Sequence, residues 1–263
     1  MPLFEHDGLH LHYTERGEPD GTPLVLVHGL LWSSRMFHRL AELLDDHRVL
    51  LVDVRGHATS TRPTDPAAYR WSKLGSDVVA LLDHLDVDRA VIGGLSLGAN
   101  VTLAVANDRP ERVAAMLVEM PVLDRAEIIA RPTFAALAGA LHLGRPALVP
   151  MTAVVGRMPL PRSLPEAAAL RDVLSLEPAA GAALIRGLLA DDLRLEHLRY
   201  DRLTMPTLVV GHHGDPLHPI GDARELAERL PDARLVECRT SLDHRLRPDL
   251  LATEIESLLA DVR

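Results

Sequence analysis

A serine between two glycines is the residue pattern with the clearest chemical meaning. Residues 94–98 read Gly-Leu-Ser-Leu-Gly, with an apolar run at 90–92 before them and a helix-like run at 99–106 after them. A tight turn from a strand into a helix needs small neighbours. It presents the serine hydroxyl at a helix N-terminus, whose N–H groups stabilise a negatively charged oxygen. The pattern predicts that Ser96 is a nucleophile.

A serine hydroxyl needs a general base, and the base needs a carboxylate that orients it. Asp215 follows the apolar run 207–210 in a turn rich in glycine and proline. His244 comes later, between a strand-like run at 234–238 and the last helical pattern. Because strand ends meet at one edge of a parallel sheet, we expect Asp215 and His244 to converge there.

Short apolar runs alternate with helical patterns along most of the chain. The helical patterns cover 36–44, 74–85, 226–230 and 250–259, and an apolar/polar alternation at 9–14 predicts a half-buried strand. Asp7-Gly8 before it predicts a hairpin with residues 2–6. Strands alternating with helices predict an α/β fold with a mostly parallel central sheet flanked by helices. The apolar runs predicted as strands are 24–27, 49–52, 90–92, 113–118 and 207–210.

Residues 124–203 interrupt this alternation. They contain no strand-like run and are rich in alanine, leucine, arginine and proline. We predict a core domain made of residues 1–123 and 204–263, with a helical cap inserted at 124–203. The cap is expected to consist of short helices cut by its prolines, which are Pro132, Pro146, Pro150, Pro159, Pro161, Pro165 and Pro178.

Taken together, these motifs resemble the alpha/beta-hydrolase superfamily over nearly the whole chain. The matching segments are Val27-His28-Gly29-Leu30, Asp53-Val54-Arg55-Gly56-His57, the turn at Ser96, the turn at Asp215 and the late His244. The resemblance implies that Ser96 is the nucleophile, His244 the general base and Asp215 the orienting acid. It also implies an oxyanion hole made by the backbone N–H groups of Leu30 and Leu97.

Other residues compete for these roles. Some members of the superfamily take the acid from the loop after the sixth strand, which here offers Glu119 and Asp124. His212, His213 and His218 share the loop of Asp215, but they precede the strand that should deliver the base. We therefore expect them to be loop or pocket-lining residues, and we expect no metal site because further ligands at metal spacing are missing. His28 is expected to be a hydrogen-bonding scaffold for the oxyanion loop.

The sequence departs from the superfamily pattern at a few positions. Ala58 stands where many relatives have glycine, and Ala99 follows Gly98 where many have a second glycine. Asp243, instead of glycine, precedes His244, and its side chain is expected to face solvent. Trp32, Leu31 and Met120 are candidates for lining the substrate pocket, although bulky apolar residues are also typical of a core.

The predicted reaction is hydrolysis of an ester through an acyl-enzyme. A carboxylesterase acting on a small hydrophobic substrate is the first interpretation. A lactonase or a C–C bond hydrolase with the same triad is the alternative. A serine at this turn argues against dehalogenase or epoxide hydrolase chemistry, which uses aspartate there. A small-molecule receptor of the same fold is the alternative from another class.

Composition and charge exclude several other classes. The 28 Lys and Arg residues against 37 Asp and Glu give a net charge of −9, which argues against a nucleic-acid-binding surface. The single cysteine, Cys238, excludes an intramolecular disulfide and a Cys-rich zinc site, and we expect no cofactor. The chain has no signal-peptide pattern and no apolar run of roughly 18 residues. We therefore expect a cytoplasmic protein without a membrane span; the sequence indicates no oligomeric state.

Overall fold

One mixed sheet forms the centre of the fold. The protein is described by a computed structural model that covers residues 2–156, 176–191 and 193–262. Eight strands in these residues form the sheet, in the order β1-β2-β4-β3-β5-β6-β7-β8. The strands are β1 Leu3–His6, β2 Leu9–Gly17, β3 Pro23–Val27, β4 Arg48–Asp53, β5 Ala90–Leu95, β6 Val113–Glu119, β7 Thr207–His212 and β8 Ala233–Cys238.

The strand directions confirm the predicted sheet. The strand β2 pairs antiparallel with β1 and β4, and all pairs from β4 to β8 are parallel. The predicted hairpin joins β1 to β2, with Asp7 and Gly8 in the left-handed region at φ 52° and 71°. The carboxyl ends of β3 to β8 therefore lie along one edge of the sheet, where the loops that carry Ser96 and Asp215 begin.

Both faces of the central strands are buried. Val25 and Val27 of β3 pack into the core on one face, while Leu24 and Leu26 pack into the core on the other. This explains why the central strands are continuous apolar runs, since each residue of a strand covered on both sides contacts a core. Each fully buried aliphatic side chain contributes about 1.5–3 kcal/mol to stability.

Helices cover the two faces and connect the parallel strands. Four of the described helices begin within about three residues of the predicted patterns at 36–44, 74–85, 99–106 and 250–259, and the helix predicted at 226–230 begins earlier, at Ile220. The described helices are α1 His38–Glu42, α2 Trp71–His84, α3 Leu97–Asp108, α4 Asp124–Leu143, α5 Arg145–Gly156, α6 Pro178–Ala190, α7 Ile220–Arg229, α8 Asp243–Leu246 and α9 Pro248–Ala260. Short 3₁₀ turns occupy Ser34–Phe37, Pro66–Tyr69, Pro110–Arg112 and Leu195–His197.

In the described part of the chain between β6 and β7, the regular elements are helices and a 3₁₀ turn, joined by loops, and no strand occurs. The prediction that its prolines cut it into short helices is wrong at two of them, because α4 continues through Pro132 and α5 through Pro150. Pro178 instead begins α6, where a missing N–H costs nothing. Pro159, Pro161 and Pro165 lie outside the described residues.

A buried carboxylate ties this helical segment to the sheet domain. Asp222 of α7 accepts hydrogen bonds from the backbone N–H groups of Leu123, Arg125 and Ala126. These groups open α4 and have no partner within the helix, so Asp222 caps α4 from another element. Among the described helices, none combines the length and the apolar character needed to cross a membrane.

Candidate active site

Ser96 lies in a strained turn between β5 and α3. Its φ of 55° and ψ of −109° are unusual for a residue with a side chain. The turn is held by hydrogen bonds from Ser96 N to Glu119 O at 2.9 Å and from Asn100 N to Ser96 O at 3.0 Å. A strained conformation that its surroundings enforce is typical of a functional serine at such a turn.

The glycines around Ser96 are required by close backbone contacts. A Cβ at Gly94 would lie 2.4 Å from the carbonyl oxygen of Val27, and one at Gly98 would lie 1.9 Å from it. No side chain fits at these distances, so the end of β3 can pass beside the turn only if both residues are glycine. This confirms the physical reason for the predicted motif.

His218 is the histidine that contacts Ser96. Its Nε2 lies 2.9 Å from Ser96 Oγ, and its Nδ1 lies 3.1 Å from Asp215 Oδ2. The second contact is short, but its angles do not fit a hydrogen bond. The His218 Nδ1 therefore makes no hydrogen bond to any of the described residues. Catalytic hydrogen bonds are often loose in the absence of substrate. Asp215 Oδ1 accepts from the backbone N–H groups of Leu217 and His218, which fixes the turn.

His244, the predicted base, contacts other groups. Its Nδ1 lies 3.1 Å from Glu119 Oε1, and its Nε2 lies 3.2 Å from Cys238 Sγ. Both ring nitrogens are thus engaged away from Ser96, and the short helix α8 buries the ring to 3% exposure. Of the predicted triad, the structure brings together Ser96 and Asp215, with His218 between them. The preceding Asp243 is only partly covered and bonds to Thr240 and Arg239 on its own loop.

Glu119, a rival candidate for the acid, is the centre of a buried ionic cluster. Its Oε1 faces His212 and His244, each at 3.1 Å, while its Oε2 accepts from Arg245 at 2.8 Å. Burial acts to raise the pKa of Glu119, but the Arg245 guanidinium and the two histidines hold it well below its ordinary value. Burial acts to lower the pKa of His212, and the hydrogen bond to Glu119 raises it above its ordinary value. Asp124, the other rival, accepts from the backbone of Leu195 instead.

Leu30 and Leu97, whose amides are predicted for the oxyanion hole, line the same cavity as Ser96. Leu97 is the first residue of α3, and neither its N–H nor that of Leu30 donates to another of the described residues. His28 Nδ1 lies 2.8 Å from Gly29 O, which fixes the peptide that carries the Leu30 N–H. This agrees with the predicted scaffold role of His28.

A second histidine supports the same loop. His57 Nε2 accepts from Leu31 N at 3.1 Å, and the ring of His57 packs edge-on against that of His28. Burial, together with the neighbouring His28, lowers the pKa of His57 to about 3, so the ring is neutral and can accept. Sequence reasoning missed this role of His57. Its place four residues after Asp53, next to Gly56, gave the only hint.

Two cavities flank the pair of Ser96 and His218. The first has a volume of about 640 Å³, part of it open to solvent, and contacts Ser96, Leu30 and Leu97. Its walls from α4 and α6 are mostly apolar but include Glu127 and Arg131. The second encloses about 1520 Å³, part of it open to solvent, and contacts His218 and Asp215. Of the predicted pocket residues, Trp32 and Met120 line the second cavity, whereas Leu31 packs against the core.

The three histidines of the Asp215 loop separate in the structure. His212 bonds to Glu119 and to Thr240 O, while the exposed His213 bonds to Glu237. Only His218 reaches Ser96. These three residues therefore have separate surroundings and do not share a common set of contacts. The side chains that do cluster at metal-ligand distances are His212, Cys238 and His244.

Comparison with known proteins places the chain in a family. The family described as alpha/beta hydrolase fold matches residues 22–144. A 3-oxoadipate enol-lactonase from Acinetobacter baylyi is 28% identical over 232 residues, which are 86% of this chain and 83% of that protein. A putative carbamate hydrolase from Pseudomonas savastanoi pv. phaseolicola is 33% identical over 241 residues, covering 82% of this chain and 85% of that protein.

Solved structures agree with this placement. The enol-lactonase from Burkholderia xenovorans LB400 superposes with a TM-score of 0.77 at 26% identity, over 98% of this chain and all of that one. The relatives that span most of the chain are hydrolases, and the sheet order and the turn at Ser96 fit the same fold. The chain therefore belongs to the alpha/beta-hydrolase superfamily.

Proposed function

We propose that this protein is a serine hydrolase that cleaves a carboxylic ester of a small hydrophobic substrate through an acyl-enzyme. Ser96 is the nucleophile, His218 the general base and Asp215 the acid that orients His218. The backbone N–H groups of Leu30 and Leu97 form the oxyanion hole. The observation that carries the proposal is the 2.9 Å contact between Ser96 Oγ and His218 Nε2, with Asp215 on the far side of the ring.

The reaction follows from this geometry. Ser96 Oγ attacks the ester carbonyl while His218 Nε2 takes the hydroxyl proton, and His218 then returns that proton to the departing alcohol oxygen. Water, activated by the same nitrogen, hydrolyses the acyl-enzyme. Asp215 stabilises the imidazolium that forms in each step. An oxyanion-hole donor contributes about 2.7–4 kcal/mol to transition-state stabilisation in this class of chemistry.

The positions of the two cavities orient the substrate. The general acid must lie beside the leaving oxygen, so the alcohol portion occupies the larger cavity on the His218 side, near Trp32 and Met120. The acyl portion then occupies the smaller cavity next to the oxyanion amides. The walls of that cavity include Trp71, Phe134 and Ile185, which favours an apolar acyl group.

The segment at 124–203, whose described regular elements are helical, acts as the cap in this proposal. Phe134 of α4 and Ile185 and Leu188 of α6 line the acyl cavity, so the segment covers one side of the nucleophile. Covering the site excludes water and selects the acyl group by shape. Cap residues, more than the sheet, therefore set substrate preference.

A lactone is the second candidate substrate, because the enol-lactonase from Acinetobacter baylyi aligns with this chain over 83% of its own length. A lactone is a cyclic ester, so the same residues would open it, with the leaving oxygen still tethered to the acyl group. A C–C bond hydrolase remains an alternative with the same triad. A receptor without turnover does not need a general base in contact with Ser96. The contact between His218 and Ser96 therefore favours an enzyme over a receptor.

The test is hydrolysis of p-nitrophenyl esters from acetate to octanoate by wild type and by the Ser96→Ala, His218→Ala and His244→Asn variants. We expect Ser96→Ala and His218→Ala to lower kcat by about 10⁴-fold or more, with partial rescue of His218→Ala by imidazole. His244→Asn is the matched control, and it should keep most of the activity if circular dichroism shows that it is folded.

The opposite result would reassign the base. If His244→Asn is folded and inactive while His218→Ala keeps its activity, His218 is not the base. If the wild type is no faster than Ser96→Ala on every ester and on a γ-lactone series, the serine hydrolase proposal fails. Phe134→Ala should shift the chain-length optimum to longer acyl groups, because it enlarges the acyl cavity and leaves the triad untouched.

A further inference from the structure

A buried group of three metal-binding side chains lies beside the active site and has no role in the proposed reaction. His212, Cys238 and His244 each offer one ligand atom, and these atoms all lie within 4.8 Å of one another. All three side chains are buried, at 1%, 7% and 3% exposure. We propose that His212, Cys238 and His244 bind one divalent, zinc-type metal ion.

The fold brings the three residues together independently of any ion. His212 and Cys238 end the neighbouring parallel strands β7 and β8 and are direct register partners. Partners in register place their side chains on the same side of the sheet. His244 comes six residues after Cys238, on α8, and its ring lies edge-on to that of His212 with centroids 5.3 Å apart.

The separations are close to those of a metal site. Zn–S and Zn–N bonds at tetrahedral angles put ligand atoms about 3.6 Å apart for S and N, and about 3.3 Å apart for two nitrogens. The Sγ of Cys238 is already 3.2 Å from Nε2 of His244. The widest separation exceeds the ideal by at most about 1.2 Å for a sulfur–nitrogen pair or about 1.5 Å for two nitrogens, which side-chain rotations can close. A metal ion would replace the proton that the thiol now shares with His244.

The surrounding groups are those that orient metal-bound histidines. A ligating histidine usually donates its other ring N–H to a carboxylate or a backbone carbonyl. His212 Nδ1 lies 2.7 Å from Thr240 O, so Nε2, which now lies 3.1 Å from Glu119 Oε1, is the ligand atom. His244 Nδ1 lies 3.1 Å from Glu119 Oε1, which leaves Nε2 on the side of Cys238.

The charges around the three side chains are compatible with a doubly charged cation. Glu119 places its Oε1 toward the histidines, while Arg245 bonds to the opposite oxygen, so a carboxylate lies between the guanidinium and the ion. Coordination takes up the Cys238 thiolate and an unprotonated Nε2 from each histidine, and the protons that these atoms held go to solvent. The thiolate and the Glu119 carboxylate offset the charge of the ion.

The experiment is a titration of the untagged, full-length protein with Co²⁺, which serves as a spectroscopic probe for a zinc site. Cys238 is the only cysteine, so a thiolate-to-cobalt charge-transfer band can arise from no other residue. We expect this band and the visible bands of tetrahedral cobalt to saturate at one ion per chain. Added Zn²⁺ should remove both.

Matched variants separate this site from surface binding and from catalysis. Cys238→Ala should abolish the charge-transfer band, and His212→Asn should weaken binding by at least about 10-fold. His213→Asn alters the adjacent exposed histidine and should bind as the wild type does, as should Ser96→Ala. Circular dichroism of each metal-free variant checks that it is folded.

Two outcomes would overturn the proposal. One is the absence of a thiolate band at one equivalent of Co²⁺ in protein whose thiol is shown to be reduced. The other is equal cobalt affinity in the wild type and in folded His212→Asn, which would mean an adventitious ion only. Neither result bears on ester hydrolysis, because the readout does not depend on Ser96.

Discussion

Replacing His57 with phenylalanine tests whether the hydrogen bond from Leu31 N to His57 is needed to hold the loop that carries the Leu30 amide. His57 Nε2 accepts from Leu31 N at 3.1 Å, while Nδ1 lies 3.1 Å from Arg55 O. Burial lowers the pKa of His57 to about 3, so Nε2 accepts at every pH of a normal assay. Leu31 has a φ of 66°, a strained conformation that this bond helps to maintain.

The expected loss of kcat lies between two limits. Phenylalanine fills the space of the ring but accepts no hydrogen bond, and an unpaired buried N–H costs about 1–3 kcal/mol. If Leu31 relaxes, the adjoining Leu30 amide leaves the oxyanion position. Complete loss of such a donor costs about 2.7–4 kcal/mol, which is the upper limit. We therefore expect kcat to fall by about 10- to 100-fold, with KM changed by less than about threefold.

Steady-state kinetics on the best p-nitrophenyl ester measure this split. Ser60→Ala is the control, since it removes the hydrogen bond that Ser60 Oγ donates to Asp53 O and the one that it accepts from His12 N. Neither of these bonds involves residues 29–31. This variant should lower stability and leave kcat nearly unchanged. The reasoning is refuted if His57→Phe keeps the kcat of the wild type, or if Ser60→Ala loses as much.

Two further predictions concern stability. Gly98→Ala would place a methyl group 1.9 Å from Val27 O and should lower the free energy of unfolding by about 3 kcal/mol or more, measured in urea. Gly139→Ala, where no atom lies within 4 Å of the added carbon, should raise it by about 0.5–1 kcal/mol. Burial acts to raise the pKa of Asp53, but the hydrogen bond from His12 holds it below its ordinary value. The ionised Asp53 therefore adds stability above about pH 4 that is lost as pH falls through its folded pKa. The Tm difference between wild type and Asp53→Asn should shrink toward zero on acidification, and a constant difference would contradict this.

The sheet could be predicted because its strands are buried on both faces. Val25 and Leu26 contact opposite cores, so β3 reads as an unbroken apolar run between turn residues. The helices of the inserted segment were harder to delimit. Pro132 lacks only one backbone donor within a 20-residue helix, and tertiary contacts keep α4 continuous around it.

The strained turn at Ser96 could be predicted because its requirements are local. The motif lies within five consecutive residues, with a glycine two positions before and two positions after the serine. Which imidazole contacts Ser96 depends instead on the tertiary structure, because the loops decide which histidine reaches it. His218 and His244 both follow strands that end at the same edge of the sheet, and chain order favoured His244. A histidine three residues after the acid, between Pro216 and Pro219, was the available sign for His218.

In the proposed mechanism, the loop of Asp215 supplies both the acid and the base. Asp215 Oδ1 accepts from two backbone N–H groups of its own loop, and the same loop brings His218 back to Asp215 and to Ser96. The proposal therefore needs no catalytic residue from the chain after β8. His244, which follows β8, bonds instead to Glu119 and Cys238.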